Sequence, residues 1–259
     1  MMTHSKRLLY KLRELAARFV NVNVSSNHTI IHKAAVLMAS EKVEGDYLEF
    51  GVFRGSSFKS HYNVMKSVIK NKINSSDGWS TGDALQLNNL WNNMRFFAFD
   101  SFQGFPNIED VDKQGNDFIE GKYICSEDSF LRAVASANLP MEKVFTVPGW
   151  YRNTLNIATR EHFHLTKAAI IHIDCDLYTS TKEVLKFVEA LLIDGTILIF
   201  DDWYAFRGHP NRGGQKAFRE WKLQIPEWHF TQFQKEGPYR NSFIANNVQQ
   251  GYELAQKHL

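Results

Sequence analysis

Cysteine is scarce: Cys125 and Cys175 are the two in 259 residues. They lack metal-ligand spacing, and Cys175 stands between two acids, where a structural disulfide would be awkward. A disulfide scaffold and a thiolate zinc centre are therefore excluded, and a reducing compartment is expected. Charge of one sign is missing as well, since 30 Lys and Arg against 28 Asp and Glu leave a formal +2. With no long Lys/Arg run and no RNA-binding signature, no nucleic-acid partner is expected. No run approaches the apolar length of a membrane span, and Met1 to Ser5 is followed by charge rather than by a signal-peptide core. The expectation is a cytoplasmic protein with no membrane partner. There is no internal repeat, no G-x-G-x-x-G and no Walker lysine. What is present is 44% hydrophobic and 14% aromatic residues, enough for one large α/β domain.

Two apolar runs in the second half end in acid. Ala168 to Ile173 leads into Asp174-Cys175-Asp176, and Gly195 to Phe200 leads into Asp201-Asp202. Short continuous apolar runs read as buried parallel strands, and ligands of open α/β sheets gather at the carboxyl ends of such strands. If the two strands are neighbours, up to four carboxylates converge. Anions packed in this way repel one another unless a cation or a proton sits between them, and a divalent metal is the natural solution. Without a Cys/His cluster, hard oxygen ligands favour Mg²⁺, Mn²⁺ or Ca²⁺ over Zn²⁺.

The rest of the chain alternates strand with helix. Helices are predicted near 6–20, with a basic face, and 28–40, so that residues 1–45 form a helical cap or oligomer segment and 46–259 the main domain. Membrane binding by the basic face is the alternative reading of the first helix. Strand Tyr47 to Val52, a helix from Phe58 to Ile69, and strand Arg95 to Asp100 follow, with 71–94 read as a surface insertion rich in Asn, Ser, Gly and Asp. The polar loop 101–122 carries Gly104, Gly115, Gly121, Asp110, Asp112 and Asp117, and reads either as a mobile cover or as a passive loop. Helices near 127–138, 151–162 and 180–192 alternate with strands at 143–147 and before each acidic pair, which implies βαβ units and a doubly wound sheet. Trp228 to Gln234 and Ser242 to Asn246 flank the turn-forming Glu236-Gly-Pro-Tyr and predict an antiparallel ending, so the sheet is mixed.

Glu49-Phe-Gly51-Val-Phe-Arg54-Gly55-Ser-Ser57 places an acid at a strand end and two glycines where the backbone turns tightly at a helix N-terminus. The next strand ends at Asp100, a position from which a carboxylate accepts hydrogen bonds from the ribose hydroxyls of a nucleoside cofactor. A helix or turn cap is the other reading of Asp100.

Five blocks, Leu48 to Ser57, Phe99 to Pro106, Pro148 to Leu155, Ile173 to Thr181 and Asp201 to Tyr204, resemble the macrocin O-methyltransferase (TylF/MycF-type) family and occur in its order. The resemblance implies a class I, Rossmann-like methyltransferase fold with an antiparallel last strand, S-adenosylmethionine and Mg²⁺ as cofactors, and a small-molecule acceptor, a sugar or glycosylated natural product. The glycine turn and strand-end acid point to cofactor binding by Glu49, Gly51, Arg54, Gly55, Ser57, Asp100 and Ser101, with Gly149 placed to frame and Trp150 to cover an adenine ring, and a core role as the other reading of Trp150. The resemblance implies metal ligation by Asp174, Asp201 and Asp202, and Asp176 as general base. His172, two residues before Asp174, is read as a second base or as an internally bonded core histidine, and Asp176 has a helix-capping alternative. Trp203, Tyr204 and Tyr178 are placed to stack on an acceptor, and Arg207, His209, Arg212 and Lys216 to orient an anionic one, with solvated surface charge as the alternative. Regions outside the blocks, the N-terminal helices above all, are where this family builds acceptor pockets and homo-oligomer contacts. Two other classes use the same residues: a metal-dependent hydrolase or phosphatase, and a catalytically silent nucleoside-binding interaction protein.

Overall fold

Alternation within short strands builds two cores on one sheet. In the computed structural model, which describes residues 29–75, 80–113 and 118–249, Tyr47, Phe96, Ala98, Ile170, Ile197 and Ile199 face one side. Leu48, Phe50, Phe97, Phe99, Ile171, Ile173, Leu198 and Phe200 face the other. Successive strand side chains point to opposite faces, so a strand apolar throughout must be covered twice. Each ring fully withdrawn from water contributes about 1.5–3 kcal/mol. Phe50, Phe96, Phe97 and Phe99 are all fully buried, so they hold β1 and β2 as interior strands of the sheet.

The strands are β1 (Asp46–Phe50), β2 (Phe96–Asp100), β3 (Val144–Pro148), β4 (Ala168–Ile173), β5 (Ile197–Phe200), β6 (Trp228–Glu236) and β7 (Arg240–Asn247). Their order is β3-β2-β1-β4-β5-β7-β6. The first five are parallel, β7 runs antiparallel to β5, and β6 antiparallel to β7. The mixed, doubly wound sheet expected from the sequence is the one observed. Helices α1 (Ile30–Glu41), α2 (Ser56–Asn74), α3 (Thr81–Asn93) and α4 (Glu127–Ala135) lie in chain order before β3. Helices α5 (Tyr151–Thr154), α6 (Ile157–His162), α7 (Tyr178–Val188) and α8 (Gly213–Lys222) follow it. Helix α1 buries Ile30, Ile31, Ala34, Ala35, Met38 and Ala39 in the same core as β1 and α2. The expected helix at 6–20 lies outside the described residues.

Three segments differ from the sequence reading. Residues 81–93, read as surface insertion, form α3, started by a capping box in which Ser80 and Asp83 satisfy each other's backbone and seated by Leu87 and Leu90. The helix expected over 151–162 is two short ones, because Asn156 adopts extended backbone and caps Thr159 N. Helix α8 was not anticipated; it opens on Gly213-Gly214, residues of poor helix propensity, and its amphipathic face buries Ala217, Phe218 and Trp221.

One glycine is required by the convergence of strands. Gly51 follows β1 at φ 87°, and a Cβ there would lie 1.8 Å from the carbonyl oxygen of Asp174. Gly51→Ala is therefore expected to lower unfolding free energy by at least about 2 kcal/mol, since the left-handed backbone alone costs roughly 1–2 kcal/mol before the clash. Gly82, exposed on α3 at ordinary φ, where a Cβ would meet only Ser80 Oγ at an ordinary 3.5 Å, should gain up to about 0.5–1 kcal/mol as alanine. Urea unfolding of both variants checks this, and equal midpoints would contradict the geometry.

Candidate active site

Parallel register decides which acids meet. Ile173 pairs with Phe200, so Asp174 and Asp201 leave neighbouring strands at one level. Asp174 N–H donates to Phe50 O (2.8 Å) and Asp201 N–H to Ile173 O (3.0 Å), which ties the ends of β1, β4 and β5 together. Above them opens a cavity of about 640 Å³. One side is lined by Gly51, Phe53, Asp100, Ser101, Trp150 and Tyr151. Asp174, Cys175, Asp176 and Asp202 form the acidic wall, and Phe105, Pro106, Asn107, Glu109, Lys122 and Tyr123 of the 101–125 loop form another. Size and place suit a ligand of cofactor class, at the carboxyl ends of the strands.

Asp100 holds the glycine turn. Its Oδ2 accepts from Val52 N–H (2.8 Å) and Phe53 N–H (3.2 Å), and its Oδ1 from Phe102 N–H (2.8 Å). Gly55, at φ 71°, caps α2, and Arg54 is exposed with its guanidinium 5.0 Å from the Phe53 ring. Ser101 Oγ donates to Gly104 O (2.8 Å) and shapes the loop that follows. Gly149 N–H donates to Asp100 O (2.9 Å), which sets Trp150 on the cavity wall.

The acids divide into two unlike pairs. Asp201 accepts from Arg240 Nε–H and lies 3.4 Å from His172 Nε2. Burial raises its pKa, but His172 and Arg240 outweigh that and hold it well below the ordinary carboxylate value. Asp174 goes the other way, raised by burial and then by the Asp201 charge. Asp176 and Asp202 hydrogen-bond to each other, and burial with the neighbouring acids pushes them up to about 6 and about 8. Both therefore favour the protonated form more than an ordinary carboxyl does. Asp176 also has φ 57°, a left-handed backbone that Asp tolerates better than most residues.

A second polar layer lies beneath, on the α2 side of the sheet. Glu49 is fully buried and accepts from Tyr47 Oη and Ser57 Oγ, while His61 Nδ1 and His172 Nδ1 each stand 3.7 Å from its Oε2. Burial opposes its charge, but His172 and His61 outweigh that and lower its pKa. For His172 burial is outweighed by Asp201 and Glu49, and the imidazole is pushed up to about 10; His61 is pushed down to about 3 by burial and by His172.

The strand-end carboxyls are of the kind that suits a hard divalent cation. Ligand atoms of His172, Asp174 and Asp201 lie within 4.8 Å of one another. Both His172 ring nitrogens and Asp202 Oδ2 are buried without a hydrogen-bond partner. Unpartnered lone pairs beside buried carboxyls are the kind of groups that suit a hard cation. The expected trio was Asp174, Asp201 and Asp202; the first two share this cluster with His172, and Asp202 lines the cavity beside Asp176.

Of the expected cofactor residues, Gly51, Asp100, Ser101 and Trp150 reach the cavity, as do Asp174, Asp176 and Asp202. Glu49, Arg54, Gly55, Ser57, Gly149, His172 and Asp201 lie behind or beside its wall. Tyr178 lines the cavity and donates to Glu220 (2.8 Å), whereas Trp203 packs on Phe200, Phe218 and Phe243. Arg207 and His209 are exposed outside the wall, with Arg212 and Lys216 nearby in sequence. The sequence reading missed Arg240 and the loop residue Asp112, fully buried, which accepts from Tyr178 N–H (2.7 Å), Thr179 N–H (3.2 Å) and Thr179 Oγ (2.8 Å) and so caps α7. Among the described residues no helix is long and apolar enough to cross a membrane.

Comparison with known proteins agrees with this layout. Mycinamicin III 3''-O-methyltransferase of Micromonospora griseorubida is 26% identical over 171 residues, which cover 62% of this chain and 56% of that protein. Demethyldecarbamoylnovobiocin O-methyltransferase of Streptomyces niveus is 25% identical over 166 residues, covering 62% and 53%. The chain spans about half the length of the curated relatives it matches. Among solved structures, the O-methyltransferase NovP aligns with TM-score 0.58 at 20% identity over 83% of this chain and 77% of that one. The calicheamicin methyltransferase CalS11 aligns with TM-score 0.60 at 20% identity over 83% and 76%. At that identity both speak for the fold, which they share. The sequence model of the macrocin-O-methyltransferase (TylF) family matches residues 28–225, most of the chain, and the chain belongs to that family.

Proposed function

We propose that this protein is an S-adenosylmethionine-dependent O-methyltransferase that methylates a hydroxyl of a small molecule, a sugar or glycosylated natural product, with a divalent cation held among Asp174, Asp201 and Asp202. The observation that carries the reading is a single cavity walled on one side by the Gly51 turn and Asp100, and on the other by the strand-end acids. Family membership supports it, as do relatives named for O-methylation of a mycinamicin and a novobiocin precursor. Nothing in the site favours the hydrolase or the silent binding module over it.

The chain's own residues supply binding, orientation and proton transfer. Asp100 fixes the Val52–Phe53 turn against which the cofactor lies, and Trp150 and Tyr151 exclude water from it. An alcohol is a poor nucleophile until its proton leaves, and Asp176 is the acid placed to take it. Burial raises both Asp176 and Asp202 above the ordinary carboxylate value, which makes Asp176 a stronger base than a free carboxylate. A divalent ion, when bound, supplies the positive charge that makes the hydroxyl easier to ionise. His172 lies under the acids rather than on the cavity wall and serves as their cationic neighbour. Asp112 is pinned to the start of α7, and Phe105, Pro106, Asn107, Glu109 and Lys122 line the acceptor side.

Incubation with the methyl donor, Mg²⁺ and a panel of glycosides should give S-adenosylhomocysteine and an acceptor one methyl group heavier. Asp176→Asn should retain cofactor affinity and lose about 10²–10⁴ in kcat, the range for a positioned base. Near-normal kcat in that variant, with chemistry limiting the rate, would make Asp176 a structural residue only.

The same acids make metal-free stability depend on pH. A carboxyl held above its unfolded value binds its proton in the native state where the unfolded chain has lost it, so stability falls as pH rises through that window. For Asp176 and Asp202 the window runs from about 4 to about 6 and about 8, and for His172 stability present below 6.5 is lost toward about 10. His61 and Asp201 act oppositely but below about 6.5, so above it the changes share one sign. With chelator present, Tm should fall from pH 6.5 to 9, and both Mg²⁺ and Asp202→Asn should flatten the fall. A Tm that is level over this range without metal would refute the acid-cluster electrostatics.

A further inference from the structure

The antiparallel register of β7 places a permanent cation on the acid cluster. Phe200 of β5 pairs with Asn241 of β7, and one step further along both strands Asp201 faces Arg240. The Arg240 Nε–H donates to Asp201 Oδ1, the oxygen that also lies 3.4 Å from His172 Nε2. Its Nη1 donates to Glu236 Oε1 (3.1 Å), and Glu236 Oε2 accepts the first backbone N–H of α1, from Ile30 (2.5 Å). The guanidinium is two-thirds withdrawn from solvent and held between two carboxylates, so it is anchored rather than free to swing away. Asp201 is also one of the three groups whose donor atoms converge on the candidate cation position.

The geometry points to Arg240 as a positioning residue that serves as the resident counter-cation of Asp201: it keeps the acids assembled without metal and limits how tightly a divalent ion binds. This inference rests on the divalent-cation reading above. Two cations that share one carboxylate compete for it and repel each other. With metal absent, Arg240 offsets the repulsion that Asp201 would exert on Asp174, Asp176 and Asp202. With metal present, the same positive charge weakens the ion's hold. The consequence is a moderate site in which the acid cluster stays folded through loss and return of the ion. A lysine at 240 would keep the charge but lose the planar fork that spans Asp201 and Glu236.

The test is Mn²⁺ affinity by electron paramagnetic resonance, with Tm read in chelator and in saturating Mg²⁺. In Arg240→Met, Mn²⁺ should bind about tenfold tighter or more, the floor expected when a unit charge a few ångströms from a divalent ion is removed even with the screening of bulk water. Its Tm in chelator should drop below wild type, and its gain on adding Mg²⁺ should exceed the wild-type gain. Arg240→Lys should bind Mn²⁺ within about threefold of wild type. Unchanged or weaker Mn²⁺ binding by folded Arg240→Met overturns the inference while leaving the metal reading standing, and no binding by either protein overturns both. If Arg240→Met does not fold, the wild-type Arg240 Nε–H resonance, assigned by its absence from Arg240→Lys, must shift when Mg²⁺ is added. A resonance unmoved at saturating metal overturns the inference as well.

Discussion

Repulsion among four carboxylates is the constraint around which this molecule is arranged. Asp174 and Asp176 leave β4 beside Asp201 and Asp202 leaving β5, because the two strands are parallel neighbours in register. At an effective dielectric of about 20, each close pair of like charges costs on the order of a few kcal/mol. Native stability is of the order of 5–15 kcal/mol, so the cluster cannot stand fully ionised and unaccompanied. Neighbouring groups answer that demand: Asp176 and Asp202 favour their protonated forms, His172 Nε2 stands 3.4 Å from Asp201, and Arg240 donates to Asp201.

The layers below carry the compensation outward. His172 can hold a charge while fully buried because Glu49 stands on its far side, and Glu49 is in turn held by Tyr47 and Ser57. Arg240 is steadied by Glu236, which also caps α1. The site is therefore coupled to the helix that opens the described part of the chain, through a continuous series of charged and hydrogen-bonded groups. Removing one member of such a buried series leaves its neighbour uncompensated, which costs more than the pair contributes net.

Much of this was legible in the sequence, for physical reasons particular to each element. Apolar runs ending in acid mark buried strands whose ends carry chemistry, and Ile173-Asp174 and Phe200-Asp201 stand where those runs placed them. The Glu236-Gly-Pro-Tyr turn gave the antiparallel hairpin. Helix α3 had a signal that went unused, Ser80 three residues before Asp83, because the polar composition around it reads as loop. Arg240 had none: its pairing with Asp201 depends on a long-range antiparallel register 39 residues apart in sequence. Glu49 and Asp112 show the same limit, since an acid at a strand end or in a glycine-rich loop looks alike whether it faces a ligand or a buried amide. Asp112 is spent on the α7 N-terminus and Glu49 on a buried histidine pair.

The chain belongs to a family named for O-methyl transfer, and on the proposed reading the strand-end acids are where the barrier is lowered. The most direct test is anomalous diffraction at the manganese edge from crystals grown with Mn²⁺ and S-adenosylhomocysteine. The account predicts one strong peak bonded to Asp174 and Asp201 at the ends of β4 and β5, with the nucleoside in the same cavity against the Gly51 turn. A cavity holding the nucleoside but no manganese among the acids, with Arg240 alone on Asp201, would contradict it.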